Sequence, residues 1–254
     1  MNILCTICAR KGSKGLKNKN LLKINNKHLI FYSIDQAKKV NEITDIVIST
    51  DLDIPQNELK KRKLKIFFKR KANLSSTKAG KVPVIRDALI KAEKYYQKKY
   101  DVIIDLDVTS PLRDVKDIKS SIKKFLKNKS NNLISVCKSR RNPYFNMVEV
   151  KKKIPFLSKK FKKNISRRQD APKVYDMNAS IYIWKKKYLM STNKIFSKKT
   201  AFYEMPYNRS IDIDSFHDLE LVKYFMKWNS RLIDVDSFHE IKPTKYFLKK
   251  NDKK

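Results

Sequence analysis

Two glycines and a set of cations follow the first apolar run of the chain, ILCTICA. Gly12 and Gly15 are two of only three glycines in the sequence, and the stretch that holds them reads ARKGSKGLKNKN. Because glycine has no Cβ, the backbone N–H groups around it can turn toward an anion. The cations of this stretch are Arg10, Lys11, Lys14, Lys17 and Lys19. These residues predict a phosphate-binding loop, with a basic surface turn as the alternative.

The spacing of the glycines excludes two common nucleotide-binding motifs. A P-loop requires G-x-x-x-x-G-K-[ST], whereas Gly12 and Gly15 are three positions apart and Leu16 follows them. The dinucleotide motif G-x-G-x-x-G would need a glycine where Arg10 or Lys14 stands. The sequence therefore disfavours a P-loop ATPase and a dinucleotide-dependent dehydrogenase.

A pair of aspartates, Asp212 and Asp214, lies in the segment SIDID. If this segment is a strand, residues two apart share a face, so the two carboxylates lie side by side. Paired carboxylates suit Mg²⁺ (or Mn²⁺), which combines one or two carboxylates with phosphate oxygens and water. The alternative is that the segment only ends a strand and that Ser215 or Asp214 caps the next helix.

The three cysteines are not predicted to form a metal or redox site. Cys5 and Cys8 have the C-x-x-C spacing of a redox or zinc half-site. In a strand, however, residues three apart point to opposite faces, so these two thiols cannot share a ligand. Cys137 lies in another apolar run. We predict buried thiols in a reducing compartment.

Alternating strand-like and helical segments must position the loop and the aspartates. Apolar runs predict strands, and apolar residues three and four apart predict helices. The predicted strands are ILCTICA, DIVISTD, KIFFKR (65–70), DVIIDL, NLISVCK, SIYIW and SIDID, and the predicted helices are 29–40, 82–96 and 115–128. This order predicts an α/β fold of Rossmann-like type, in which helices flank a mainly parallel sheet. Such sheets bind ligands beyond the carboxyl ends of their strands. This site would bring together the segment ARKGSKGLKNKN (residues 9–20, here called the glycine loop), Arg70 and the segment from Asp105 to Arg113.

The segment 138–172 interrupts this alternation with basic, proline-containing sequence and predicts an inserted arm. The main domain is predicted to span residues 1–228, and a basic tail, 229–254, to follow it. Within the tail, IDVDSFHEIKPTKYFLK resembles the earlier IDIDSFHDLELVKYFMK. Because Pro243 interrupts the second copy where the first continues as a helix, we predict a degenerate duplicate rather than a second metal site.

The composition bounds the class of protein. The chain has 254 residues with 41% apolar composition, enough for one main core. Its formal charge of +35 comes from lysine-rich runs spread along the sequence, as in a solvated surface, so nucleic-acid binding is a remote alternative. Because no apolar run reaches about eighteen residues, we predict a soluble cytoplasmic protein without a membrane span.

Four motifs together resemble the cytidylyltransferases that activate nine-carbon sialic-type sugar acids. They stand in the sequence as ARKGSKGLKNKN, DVTSPLR, RRQDAPKVYDMNASIYI and SIDID, in the family's order. The resemblance implies a fold of the nucleotide-diphospho-sugar transferase type and a reaction of CTP with a sugar acid that yields a CMP-sugar and pyrophosphate. It also implies a homodimer, in which the arm reaches into the partner's cleft and brings Arg167 or Arg168 to it.

The same resemblance implies roles for individual residues. Those implied to hold the triphosphate are Arg10, Lys14 and Lys19, and Mg²⁺ (or Mn²⁺) would link it to Asp212 and Asp214. Those implied to bind CTP are Gly12, Ser13, Gly15, Asn20 and Arg70. Those implied to surround the sugar acid are Asp107, Arg168, Gln169 and Asn178, with Asp107 as a candidate general base.

Within that family the chain is most similar to the legionaminic acid branch, on the segments CTICAR, DLD, RRNPYFN and YDMNASIYI. Where the sialic enzymes have Gln and Pro before TSPLR, this chain has Asp107 and Val108. An acid in place of an amide changes the hydrogen bonds offered to the sugar acid. The resemblance therefore implies CMP-legionaminic acid or a derivative as the product, with CMP-N-acetylneuraminate and CMP-pseudaminate as alternatives.

Overall fold

The computed structural model describes residues 1–12, 15–16, 18–161 and 165–229. Its strands are β1 (Ile3–Ala9), β2 (Lys23–Ile24), β3 (Lys27–His28), β4 (Asp45–Thr50), β5 (Val102–Leu106), β6 (Asn132–Lys138), β7 (Val148–Lys151), β8 (Ile154–Leu157), β9 (Tyr175–Lys185) and β10 (Thr200–Glu204). Its helices are α1 (Leu29–Lys38), α2 (Gln56–Lys61), α3 (Ala72–Ser75), α4 (Lys81–Tyr96), α5 (Val115–Lys127), α6 (Lys186–Ser191) and α7 (Phe216–Asn229). Short 3-10 turns span Lys19–Leu21, Arg168–Asp170 and Tyr207–Arg209. Within this part of the chain, none of the helices is long and apolar enough to cross a membrane.

A six-stranded sheet forms the centre of the fold, in the order β10-β6-β9-β5-β1-β4. β1 pairs in parallel with β4 and β5, and β6 pairs in parallel with β10. β9 runs antiparallel to both of its neighbours, β5 and β6. The sheet is therefore mixed and mainly parallel, which confirms the predicted α/β class.

Helices cover both faces of the sheet and form one core on each face. The side chains of β1 point alternately into these two cores. Cys5 and Ile7 lie in one core with the buried sides of α1 and α5, whereas Leu4 lies in the other with α4. Cys8 packs on the α4 side, so Cys5 and Cys8 point to opposite faces as predicted. All three cysteines are free; Cys5 and Cys137 are buried and Cys8 is half-buried.

The segment 65–70, which the structure describes completely, is not a strand, so that prediction is wrong. Consecutive side chains of a strand point to opposite faces, but Phe67 and Phe68 both turn toward α4. The Phe67 ring stacks on the Tyr95 ring with 3.9 Å between centroids, and the Lys91 ammonium lies 4.4 Å from the centroid of Phe68. Aromatic packing on the helix has replaced strand pairing here.

The SIDID segment also lies outside the sheet, so the prediction of a strand there is wrong. The Ile213 N–H donates to the carbonyl of Thr109 (3.0 Å), which belongs to the loop after β5. The cap of α7 comes directly afterwards: the Ser215 N–H donates to the Asp218 carboxylate (2.7 Å), and the Asp218 N–H donates to the Ser215 hydroxyl (3.3 Å). Ser215 therefore caps the helix as the alternative predicted, and this cap does not use the carboxylates of the two earlier aspartates.

Strands β7 and β8 form a separate antiparallel hairpin inside the predicted arm, 138–172. All residues of both strands are exposed. The apolar side chains of Val150 and Ile154 are each 68% exposed. These side chains give the arm an unusual amount of exposed apolar surface. A lone two-stranded hairpin is only marginally stable in water, so burial of this surface would stabilise it.

Candidate active site

A cavity of about 280 Å³ lies beyond the carboxyl ends of β1, β4 and β5, where ligands of parallel sheets bind. Its polar lining comes from the glycine loop, from segments that come after β4 and β5, from the start of α4 and from the SIDID segment. These residues are Arg10, Lys19, Asn20, Arg70, Ser76, Lys81, Asp107, Thr109 and Asp212. The cavity therefore brings predicted phosphate-binding cations together with one of the two predicted metal ligands.

The glycine loop meets the SIDID segment directly. The Lys19 ammonium lies 2.6 Å from a carboxylate oxygen of Asp214. Gly15 packs so closely on the Asp214 backbone that a Cβ on Gly15 would lie 2.3 Å from the Asp214 carbonyl oxygen. Gly12 has a φ of +80°, a conformation that other residues rarely adopt. Two segments almost 200 residues apart in the sequence thus form one wall of the cavity.

Asn20 fixes the path of the same loop. Its amide nitrogen donates to the backbone carbonyl of Arg10 (3.0 Å), and the side chain is buried. This bond ties the start of the loop to its end, and Arg10 lines the cavity. Ser13 and Lys14, which the sequence also assigns to the loop, lie outside the described residues.

Arg70 contributes a further cation, which the end of β4 holds in place. Its Nε donates to the hydroxyl of Ser49 (3.1 Å), one terminal nitrogen donates to the Ser49 carbonyl, and its backbone N–H donates to the Thr50 carbonyl (2.9 Å). The residue is only 5% exposed. A guanidinium fixed in this way supplies a permanent positive charge to the cavity.

Asp107 sits at the floor of the cavity in a network of charges. The Lys81 ammonium lies 2.9 Å from Asp107 and 2.9 Å from Asp105, which is buried at the end of β5. The other Asp107 oxygen accepts from the N–H (3.1 Å) and the hydroxyl (2.8 Å) of Thr109. Burial alone would raise the pKa of Asp107, but Lys81 and Thr109 together hold it well below its usual range. Asp107 is therefore ionised at neutral pH and is a weak proton acceptor, which counts against its predicted role as a general base.

Sequence reasoning misses Lys81, because it is one of many lysines in this chain. It is the first residue of α4, where a positive charge opposes the helix dipole. It also follows Gly80, one of the three glycines. Because a lysine at the start of a helix is unfavourable, its presence there is a sequence signal that acidic side chains lie nearby.

Arg113, which ends the DVTSPLR motif, holds the backbone of Asp107 in place. It is 2% exposed and donates to the carbonyls of Ser180 (2.7 Å) and Asp107 (3.2 Å) and to the hydroxyl of Ser33 (2.8 Å). Burial lowers the pKa of Arg113 to about 10 despite the nearby acids. Arg113 therefore fixes the loop after β5 and does not line the cavity.

Asp212 carries an unusual carboxylate. Its Oδ1 is buried and has no hydrogen-bond partner among the described residues. Burial, followed by the charges of Asp107 and Asp214, raises the pKa of Asp212 from 3.8 to about 6. The Asp214 side chain, by contrast, is 73% exposed and is held by Lys19. A largely buried carboxylate with one oxygen unpaired, beside other carboxylates, is a place where a cation would be stabilising.

The donor set fits Mg²⁺ or Mn²⁺ better than an enclosed structural metal. Within the described ranges, no cluster of three or more His, Cys, Asp and Glu side chains could hold a metal by itself. A cation here would need further oxygens from substrate and water, and Mg²⁺ prefers that combination. Asp212 and Asp214 are the residues that would hold it.

The residues predicted to surround the sugar acid are not all in this cavity. Arg168 and Gln169 line a different pocket, at the base of the arm, where Arg168 donates to the Arg140 carbonyl (3.0 Å). Asn178 is buried: its nitrogen donates to the Ser210 hydroxyl (2.9 Å) and its oxygen accepts a further hydrogen bond. Of the four predicted residues, Asp107 alone lines the cavity of the glycine loop.

Two curated proteins of Campylobacter are similar to this chain over most of both lengths. The post-translational flagellin modification protein B of Campylobacter coli is 46% identical over 89% of this chain and 95% of its own length. The CMP-N,N'-diacetyllegionaminic acid synthase of Campylobacter jejuni is 45% identical over 88% of this chain and 94% of its own length.

The fold is similar to that of a solved CMP:2-keto-3-deoxy-manno-octonic acid synthetase in complex with CTP. The two superpose with a TM-score of 0.64 over 90% of this chain and 100% of that one, at 16% identity. The sequence model of the family described as Cytidylyltransferase matches residues 4–252. With nearly the whole sequence matched and two relatives above 40% identity, the chain belongs to the cytidylyltransferase family.

Proposed function

We propose that this cytidylyltransferase transfers CMP from CTP to a nine-carbon sugar acid of the legionaminic type. The anomeric oxygen of the sugar acid forms a bond to the α-phosphorus, and the bond from that phosphorus to the bridging oxygen of the β-phosphate breaks. Pyrophosphate leaves, and the hydroxyl proton passes to a base or to solvent. The observation that carries this proposal is that Arg10, Lys19 and Asp212 line one cavity. The similarity to the CMP-N,N'-diacetyllegionaminic acid synthase supports the choice of sugar acid.

The glycine loop is proposed to hold the triphosphate. Phosphoryl transfer depends mainly on positioning and on the neutralisation of charge, so fixed cations and backbone N–H groups are its main requirements. Arg10 and Lys19 supply cations at the cavity, and Arg70 supplies one that is nearly buried. The residues assigned to CTP from the motif are Gly12, Ser13, Lys14, Gly15 and Asn20.

Asp212 and Asp214 are proposed to hold Mg²⁺ (or Mn²⁺). When bound, the cation would neutralise phosphate charge where the bond to the α-phosphorus is made. The unpartnered Oδ1 of Asp212 supports this assignment. Lys19 holds Asp214 in place from the side of the loop, so the chain itself orients one of the two carboxylates.

The sugar acid is proposed to lie against Asp107, with Arg168, Gln169 and Asn178 completing its site. Arg168 and Gln169 line the pocket at the base of the arm rather than the cavity of the same chain. We propose that the arm, 138–172, forms a homodimer and brings Arg167 or Arg168 to the partner's cleft. The catalytic domain would then span 1–228, with the basic tail, 229–254, as an appendage; residues 230–254, which include the predicted duplicate segment, lie outside the described residues.

Incubation of the purified chain with CTP, Mg²⁺ and a panel of sugar acids tests the proposed reaction. We expect pyrophosphate release and a CMP-sugar of the matching mass, with kcat/KM for N,N'-diacetyllegionaminate roughly tenfold or more above that for pseudaminate or N-acetylneuraminate. Preference for either of the other two acids would contradict the choice of sugar. Absence of pyrophosphate with every acid would contradict the reaction.

Replacement of Ile154 by glutamate tests the role of the arm. Because this side chain is 68% exposed and apolar, we expect a charge there to prevent burial against a second copy and to shift the protein to the monomer. Sedimentation velocity of the wild type and the variant measures the change. Ile90→Glu is the matched control, since Ile90 on α4 is 52% exposed and lies outside the arm, and it should leave the dimer intact. A monomeric wild type with full activity would contradict the arrangement.

A further inference from the structure

Among the described residues that line the cavity, Lys81 is the one charged residue that neither the motifs nor the proposed reaction assigns. Its ammonium has two carboxylate partners, Asp105 and Asp107, each at 2.9 Å. It also lies 4.6 Å from the centroid of the Tyr182 ring. An ammonium has only three N–H donors, so two carboxylates and an aromatic face engage it on all sides. Lys81 is thus poorly placed to act as a phosphate ligand.

The two carboxylates that Lys81 joins differ in what they face. Asp105 is 1% exposed in its side chain and also accepts from the Thr6 hydroxyl (2.7 Å), so its environment is internal. Asp107 is 22% exposed in its side chain and lines the cavity. Lys81 therefore links a buried anchor to a carboxylate that a substrate can reach.

The hydrogen bonds of Asp107 define what it can offer to a substrate. One oxygen accepts twice from Thr109 and the other accepts from Lys81. A carboxylate has about four lone-pair positions, so these three bonds leave roughly one for a ligand. With the cation beside it, Asp107 stays ionised at neutral pH and can only accept a hydrogen bond.

On the basis of the proposed function, we infer that Lys81 is a positioning residue that sets substrate specificity through Asp107. It holds Asp107 as a fixed acceptor, so this end of the cavity selects a sugar acid that presents an N–H or O–H donor there. The same geometry repels anionic groups, so the triphosphate and the carboxylate of the sugar acid lie elsewhere in the cavity. An acetamido N–H or a ring hydroxyl has the required chemistry.

Replacement of Lys81 by methionine tests this role, because methionine keeps most of the length and removes the charge. We expect KM for the sugar acid to rise roughly tenfold or more, since a hydrogen bond to a charged group is lost or misdirected. The Kd for CTP, measured by calorimetry without sugar acid, should change less than about twofold. Lys91→Met is the matched control: Lys91 lies on the same helix, also pairs with an aspartate and is likewise 24% exposed. It should change neither value.

A second variant separates positioning from direct contact. Asp107→Asn should raise KM for the sugar acid as Lys81→Met does, and the double variant should be no worse than Asp107→Asn, because both changes act through one side chain. Additive effects, or a weaker Kd for CTP in Lys81→Met with an unchanged KM for the sugar acid, would overturn the inference. If Lys81→Met does not fold, an unchanged KM for the sugar acid in Asp107→Asn overturns it equally. A wild type that turns over no sugar acid would contradict the proposed function and this inference with it.

Discussion

Replacement of Asp212 by asparagine is expected to lower kcat by about two to three orders of magnitude while the chain stays folded. The reason is that asparagine keeps the size of the side chain but removes a negative charge that is proposed to hold a divalent cation. The apparent affinity for Mg²⁺, measured from the metal dependence of pyrophosphate release, should fall in parallel. Asp87→Asn is the matched control, because Asp87 is half-buried on α4 and pairs with Lys91 outside the cavity.

The same variant is expected to be more stable than the wild type when no metal is present. The pKa of Asp212 is raised to about 6, so the folded chain holds this proton more tightly than the unfolded chain does. Stability of the metal-free wild type should therefore fall as the pH rises from about 4 through 6, and asparagine removes this dependence. We expect a gain of about 1 to 2 kcal/mol at pH 7.5, or roughly 2–8 °C in Tm, which shrinks at pH 4.5. Lower stability together with full activity would contradict the assignment of Asp212 as a metal ligand.

The meeting of the glycine loop with the two aspartates could be predicted because both signals are local. The apolar run before Gly12 reads as a strand, and parallel strands place the residues after their carboxyl ends at one edge of the sheet. Asp212 lies in a segment that alternates isoleucine and aspartate and reaches the same cavity, although this segment bonds to the loop at Thr109 and not to a strand. The sequence therefore predicted the position of Asp212 correctly and the secondary structure of its segment wrongly. An alternation of apolar and polar residues does not show whether the segment pairs with a strand or with a loop.

Other features could not be read from the sequence because they depend on tertiary contacts. The strand prediction for 65–70 failed because Phe67 and Phe68 both pack on the same helix. Lys81 gained its role from Asp105 and Asp107, and only the packing of α4 on the sheet brings the three together. Asn178 belongs to the YDMN motif, yet its amide is engaged in a buried network. A motif names the residues, whereas the burial of each side chain decides which of them can reach a ligand.

Replacement of Gly15 by alanine is expected to lower kcat/KM for CTP by about a hundredfold, since a displacement of about 1 Å in a catalytic group has that effect. A Cβ on Gly15 would lie 2.3 Å from the carbonyl oxygen of Asp214, closer than any real contact. Because the obstacle is backbone and not a flexible side chain, the glycine loop and the SIDID segment must move apart. The contact of Lys19 with Asp214 would then lengthen, and the proposed cation and phosphate sites would separate.

Gly80→Ala provides the comparison that isolates this contact. A Cβ on Gly80 would meet only Pro83, at an ordinary 3.6 Å, so the same chemical change should alter kcat/KM for CTP by less than about threefold. Steady-state rates at varied CTP, together with Tm values, distinguish a displaced loop from general unfolding. If Gly15→Ala retained the activity of Gly80→Ala, the loop would not need to touch the SIDID segment during turnover. The proposed joining of triphosphate, cation and aspartates in one cavity would then lose a main structural support, because Lys19 can pair with Asp214 as it does only while Gly15 lets the two segments approach this closely.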